Sequence, residues 1–442
     1  MKRLSTTLLI TLTFTKVFSQ VINVSTANEL QYALVNAKPG QIITLKPFTT
    51  YSIADCNDKT VCIYNNGSGF KVPKGVNGTK NNPIKLVGPK SAIITSNDIG
   101  SKYGLHLQGN EFWVLEGFTI TNSSKCVMLD SSSHNIINNL RITQSGFEAM
   151  HLRKFSSFNT ISNCYIDSTG MDATAFLKGY AEGVYVGTAN SNWINYSNNQ
   201  VDTSNYNIIT GNVFGGLIRS ENIDIKEGTK GGEISNNTFN GLGCNGNNSA
   251  DKYIDIKGDY YTIKCNIAKG NSQSIVNGFE VNINKITTKN GLVVNKNFGD
   301  YNTFSNNFLD MTGTTGYALF INSYSGIVHN TPCSNNTAKN AASGLCNLAT
   351  ILCPGTSCNV VTNIEGKNIN HLENDIASPN PFHTSLFLNS TGTYSIYNLS
   401  GLMIEKGTCT GNCEIGNSLA PNIYFLELEK EGKIKRIKIV KQ

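Results

Sequence analysis

The chain has 442 residues, 39% hydrophobic and 15% charged, so it can bury a large core while carrying a net charge of only +6. Lys2, Arg3 and Lys16 near the start supply half of that excess, and the last twenty residues hold six Lys/Arg against three Glu. The body between is near neutral, which excludes global steering of a polyanion and speaks against a nucleic-acid partner.

Residues 1–19 have a basic start, an apolar centre, and Val17 and Ser19 at the small-residue positions before a cut. This pattern predicts a cleaved secretory signal, to be left out of the fold. No later run reaches the length of a membrane span. Twelve cysteines in an exported chain predict disulfides. Cys56/Cys62, Cys353/Cys358 and Cys409/Cys413 are close enough to close small loops, and no spacing matches a zinc ribbon. Residues 26–51 predict a cap: Leu30, Ala33, Leu34 and Ala37 follow helical spacing, Pro39-Gly40 turns the chain, and 42–45 reads as a strand.

Six later segments superpose: 149–153 (AMHLR), 183–187 (GVYVG), 222–226 (NIDIK), 253–257 (YIDIK), 278–282 (GFEVN) and 318–322 (ALFIN). The second and fourth positions are always apolar, so the third and fifth share the opposite face of a strand. The third column reads His151, Tyr185, Asp224, Asp255, Glu280, Phe320, and the fifth reads Arg153, Gly187, Lys226, Lys257, Asn282, Asn322. A second strand-like octet, often N-x-I-x-N-N-x-I/F, recurs beside them. Its third positions (Leu115, Ile137, Ile161, Ile209, Ile234, Ile263, Phe304) step by 22, 24, 48, 25, 29 and 41 residues. A repeat of this period predicts stacked coils, with an insertion or a missed coil at each long step. The expected fold is all-β: a right-handed parallel β-helix with an N-terminal cap over residues 20–374. A sandwich or propeller explains the constant register less well.

Like positions in adjacent coils lie about 4.8 Å apart. Asp224, Asp255 and Glu280 are therefore expected as neighbours, a repulsion that Lys226 and Lys257 or a bound Ca²⁺ relieves. A salt-bridged solvent face is the plainer reading of the same ladder. Glu182 and Glu221 precede their strands at the entrance corner. Trp193, on the long insertion, is either a sugar-stacking platform or a packing anchor for its loop.

After residue 374 the composition changes. Ser378-Pro379-Asn380-Pro381-Phe382, Tyr394-Ser395-Ile396-Tyr397-Asn398-Leu399-Ser400-Gly401 and Leu419-Ala420-Pro421-Asn422-Ile423-Tyr424 precede a basic, alternating last strand. Residues 375–442 resemble the C-terminal sorting domain of the type IX secretion system, which implies a small β-sandwich and a partner in that machinery. The Cys409/Cys413 insertion departs from the usual pattern.

The body, with EGVYVGTANSNW at 182–193 and ENIDIKEGTKGG at 221–232, resembles secreted β-helix proteins of the pectate-lyase-like superfamily. That resemblance implies a lyase cleaving an acidic, uronate-containing polysaccharide by β-elimination, and the chain is expected to be a monomer. The superfamily also holds hydrolases, epimerases and noncatalytic adhesins. Under the lyase reading Lys226 is the base, interchangeable with Lys257, its amine pKa lowered by cationic neighbours. Arg153 clamps the substrate carboxylate, and His151 or Tyr185 protonates the leaving oxygen. Asp224, Asp255, Glu280 and Glu221 are the expected Ca²⁺ ligands, and Glu182, Trp193, Asn282 and Asn322 the further substrate contacts. A glycoside hydrolase using paired carboxylates, or a noncatalytic glycan-binding solenoid, are the alternatives.

Overall fold

The computed structural model describes residues 20–62, 68–323, 328–353, 358, 377–378, 385–398, 402–430 and 433–441. The expected signal at 1–19 and the expected boundary near 374 lie outside them. The chain divides into two compact units, Met1–Val360 and Val361–Gln442.

The first unit is a parallel β-helix. Its three long sheets run from Val21–Val24 to Thr331–Pro332, from Thr50–Ser52 to Thr337–Lys339, and along the sheet that contains Met150–Arg153. Leu115, Ile137, Ile161, Ile209, Ile234, Ile263 and Phe304 pair strand to strand without a gap. Both long steps are therefore insertions, not missed coils. The first holds two short helices the sequence reading did not anticipate, Ala173–Lys178 and Trp193–Tyr196. The second extends the strand Phe279–Lys289 into a hairpin with Leu292–Phe298.

Short strands hold because they stack. Ile223–Ile225 buries both isoleucines, worth roughly 3–6 kcal/mol, which only matches what ordering three residues costs. Each coil therefore depends on its neighbours. The two asparagines of the octet motif do different work. Asn139, Asn163, Asn236 and Asn306 take the left-handed corner (φ 51–55°). Asn212, Asn237, Asn266, Asn307 and Asn336 form a buried ladder, each Nδ2 donating to the next Oδ1 at 2.9–3.1 Å. Asn135, Asn159 and Asn207 form a second.

The helix Ala27–Asn36 closes the end as expected. Thr26 and Glu29 form a capping box, and Ala27, Leu30, Ala33 and Leu34 are buried. Cys56–Cys62 and Cys409–Cys413 are disulfides, but Cys353 pairs with Cys333 and Cys358 with Cys265. The expected Cys353/Cys358 loop does not form because the chain after Thr337–Lys339 continues the stacking, Ile351 bridging in parallel to Cys333 and bringing Cys353 beside it. Four disulfides fit an extracellular protein. No helix among the described residues is long and apolar enough to cross a membrane. The second unit is a five-stranded antiparallel sheet packed around Leu386, Leu388, Ile396, Leu426 and Ile439.

Candidate active groove

The six aligned segments are consecutive strands of the third sheet, in the predicted register. Three further strands, Phe70–Val72, Leu105–Gln108 and Val127–Asp130, continue it. The third column therefore reads Lys71, His106, Met128, His151, Tyr185, Asp224, Asp255, Glu280, Phe320. The fifth adds Gln108 and Asp130 before Arg153. The same register makes a third column at the entrance corner: Lys125, Glu148, Glu182, Glu221, Lys252, Asn277. These columns floor a groove of about 860 Å³ walled by the insertions.

Lys226 and Lys257 pair with Asp224 and Asp255, and Lys257 Nζ also lies 3.6 Å from Asp224 Oδ1. Lys252 lies between Asp251 (2.7 Å) and Glu280 (3.3 Å), and Lys125 pairs with Glu148. Burial alone pushes the Lys226 and Lys257 amines down, but Asp224 and Asp255 outweigh it and raise both above the ordinary lysine range. The expectation of a lowered amine pKa is thus overturned: each lysine's nearest neighbour is a carboxylate, not a cation. Conversely, burial raises Asp255, yet Lys257, Lys252 and Lys226 hold it below the usual carboxylate range.

Tyr185 sits between an imidazole and an ammonium. Its ring centroid is 4.5 Å from that of His151 and 4.8 Å from Lys226 Nζ. Burial, then Asp224 and Glu182, push its phenol well above the ordinary range, so it stays protonated. His151 Nε2 donates to the Gly187 carbonyl at 3.0 Å. Its Nδ1 is buried, makes no hydrogen bond and lies 3.6 Å from Glu148 Oε1. Burial pushes this imidazole down to about 3, so it is neutral at physiological pH. With both nitrogens turned into the protein, His151 braces Tyr185; it is not the donor to a leaving oxygen.

Arg153 does not wait for a substrate carboxylate. Its Nε and Nη2 already grip Asp130 at 2.7 and 3.4 Å, and Tyr196 lies over its guanidinium at 4.1 Å. Asp130 also takes His106 Nε2 at 3.2 Å, whose Nδ1 is 2.9 Å from Ser68 Oγ. The sequence reading missed this network because Val127–Asp130 carries Met128 in the third column and so hid the repeat. Residues 104–108 (GLHLQ) and 126–130 (CVMLD) fit the apolar template and were the available signal.

Trp193 is not a sugar platform. It is fully buried against Ile286 and Phe298, its Nε1 donating to Thr188 O at 2.9 Å. Its partners come from a hairpin some ninety residues later, which the local sequence could not reveal. The aromatic rings exposed at the groove are Tyr180 and Tyr196. Asn282 lines the groove but donates to Asp255 (2.8 Å) and Glu280 (3.1 Å), and Asn322 donates to Asn282 (3.0 Å).

The expected Ca²⁺ ligands do not converge as a set of four. Asp255 is held by Lys257 and Asn282, and Glu280 by Asn277, Asn282 and Lys252. Glu182, Glu221 and Asp224 do converge: each offers an oxygen within 4.8 Å of the others. Glu182 Oε2 and Asp224 Oδ1 are buried without a hydrogen-bond partner. Burial and the neighbouring carboxylates raise Glu182 well above its ordinary value, and burial, Asp224 and Asp255 raise Glu221 to about 7. This smaller donor set is all oxygen, as a hard divalent cation requires, and one of its acids, Asp224, is already paired with Lys226.

No protein-family model matches the chain, and no curated protein sequence does. Among solved structures, the chain is similar to an alginate lyase from Paenibacillus sp. str. FPU-7. The match is at 29% identity and TM-score 0.62, over 76% of this chain and 99% of that one. Its body has a polysaccharide-lyase-like fold. A pectate lyase from Paenibacillus sp. 0602 matches at 10% identity and TM-score 0.42, over 67% and 79% of the two chains, too slight a likeness to argue from.

Proposed function

We propose that the protein is a polysaccharide lyase that cleaves a uronate polymer by β-elimination, with Lys226 and Tyr185 as base and acid. The contact between a cationic amine and a protonated phenol on the floor of a long polar groove carries this reading, and the likeness to an alginate lyase supports it. Lys257 lies one coil beyond Lys226 and meets the substrate carboxylate, stabilising the charge that grows there as the C5–H bond breaks. Lys226 Nζ takes the C5 proton, the C4–O4 bond breaks as C4=C5 forms, and Tyr185 Oη gives its proton to the departing oxygen. Lys226 rests as the ammonium, so the productive form is the one that has shed that proton, and activity rises toward alkaline pH.

A divalent cation, Ca²⁺ by its oxygen donors, would be held by Glu182, Glu221 and Asp224, and would supply positive charge beneath the substrate carboxylate. The raised carboxyl of Glu221 beside Asp224 favours a second reading, a glycoside hydrolase with one protonated and one ionised acid. Products separate the two, because only elimination leaves an unsaturated uronate. We further propose that the chain is exported as a monomer and that residues 375–442 address it to the type IX machinery.

A further inference from the structure

We infer that Tyr196, backed by Arg153, is a sugar-stacking subsite next to the reacting residue; this rests on the lyase reading. The helix Trp193–Tyr196 lies on the groove wall, and Tyr196 keeps 38% of its surface exposed while lining the groove. Arg153 covers one face of the ring and is itself fixed by the two-point grip on Asp130. Lys154 Nζ lies 5.9 Å from the ring centre, and the exposed part of the ring is left for a ligand. The mount is rigid: Trp193 is buried, Thr188 Oγ1 donates to Asp202, and Asn199 Nδ2 donates to Asn290 O at the tip of the hairpin. A ring held in place before binding loses little freedom on contact.

The position is informative. Arg153 is in the coil before Tyr185, opposite Gly187, the one fifth-column position without a side chain. A Cβ at Gly187 would come within 2.7 Å of Thr229 Cγ2 and 3.3 Å of Lys226 Cβ. The floor therefore stays low between Arg153 and Lys226. Arg153, which backs the ring, is one strand from Tyr185, so a sugar seated against Tyr196 neighbours the one held at Tyr185. Amid acids, amides and cations, an exposed ring suits the apolar face of a pyranose whose polar groups point to the floor. The ligand class is a uronate oligosaccharide bound across the cleavage point.

Tyr196→Phe and Tyr196→Ala, made in the full chain, test this on whichever uronate polymer the wild type cleaves. Tyr196→Ala is expected to raise KM about three- to tenfold with kcat nearly unchanged, while Tyr196→Phe keeps both. Affinity electrophoresis through gels containing the same polymer reads binding without turnover: the wild type is retarded and Tyr196→Ala runs ahead of it. Equal KM and equal retardation in an active pair overturn the subsite and leave the lyase reading standing. A wild type that neither cleaves nor is retarded by any uronate polymer removes the lyase reading first, and the subsite with it.

Discussion

Lys226 Nζ lies 4.8 Å from the centre of the Tyr185 ring, on adjacent strands whose register places Tyr185 opposite Asp224. The amine and phenol that the proposed mechanism uses as base and acid are thereby set one coil apart, and Asp224 keeps the amine charged at rest.

Lys226→Arg is expected to abolish turnover as completely as Lys226→Ala, because a guanidinium keeps charge and donors but cannot give up its proton. In the wild type kcat/KM climbs as pH rises, because Asp224 and Asp255 place the amine above the ordinary lysine range. Steady-state rates from pH 6 to 10 check both. Substantial activity in Lys226→Arg assigns the residue an electrostatic role only.

His151 makes the protein acid-sensitive. Its folded value of about 3 lies below the ordinary 6.5. The stability from its neutral, buried form is complete above about pH 6.5 and is lost as pH falls toward 3, by up to ~1.4 kcal/mol per pH unit. Melting curves from pH 7 to 4 should show a shallower decline in His151→Gln than in the wild type. Parallel declines place the acid sensitivity elsewhere.

Asp130→Ala should cost about 3 kcal/mol, since it strands Arg153 and His106 in a buried network. Urea midpoints measure this. A change under about 1 kcal/mol would mean that both groups find other partners.

These residues mark where the sequence stops being informative. The apolar columns carry strand register and the shared face, so Asp224, Asp255, Lys226 and Lys257 fall together on the sequence pattern alone. Direction and partner were not encoded locally. Arg153 reads as a free cation until Asp130 is found one coil away, and Trp193 stays open between platform and packing anchor until Ile286 and Phe298 cover it. The lysine pKa was misjudged in sign because the carboxylates two residues earlier lie closer than the other cations. Glu182 and Glu221 were legible at the entrance corner, and Glu148, which precedes residues 149–153 in the same way, was the member of that column left out.

Ca²⁺ should raise the melting temperature, stabilising the fold by about 2.7 kcal/mol at a hundredfold excess over Kd. Glu182→Gln with Glu221→Gln should remove the response. Calorimetric titration gives the same answer without turnover. Identical melting in Ca²⁺ and in chelator would mean that protons and Lys226 balance these carboxyls without a metal.

The most direct test follows ultraviolet absorbance and new reducing ends together, using the mature protein on alginate, pectate and glycosaminoglycans, with Ca²⁺ and with chelator. β-Elimination predicts that both signals rise in step on at least one uronate polymer and that Lys226→Arg silences both. Reducing ends without absorbance would assign hydrolysis to the carboxylates, and silence in both with retention on an immobilised glycan would make the groove a binding site without chemistry.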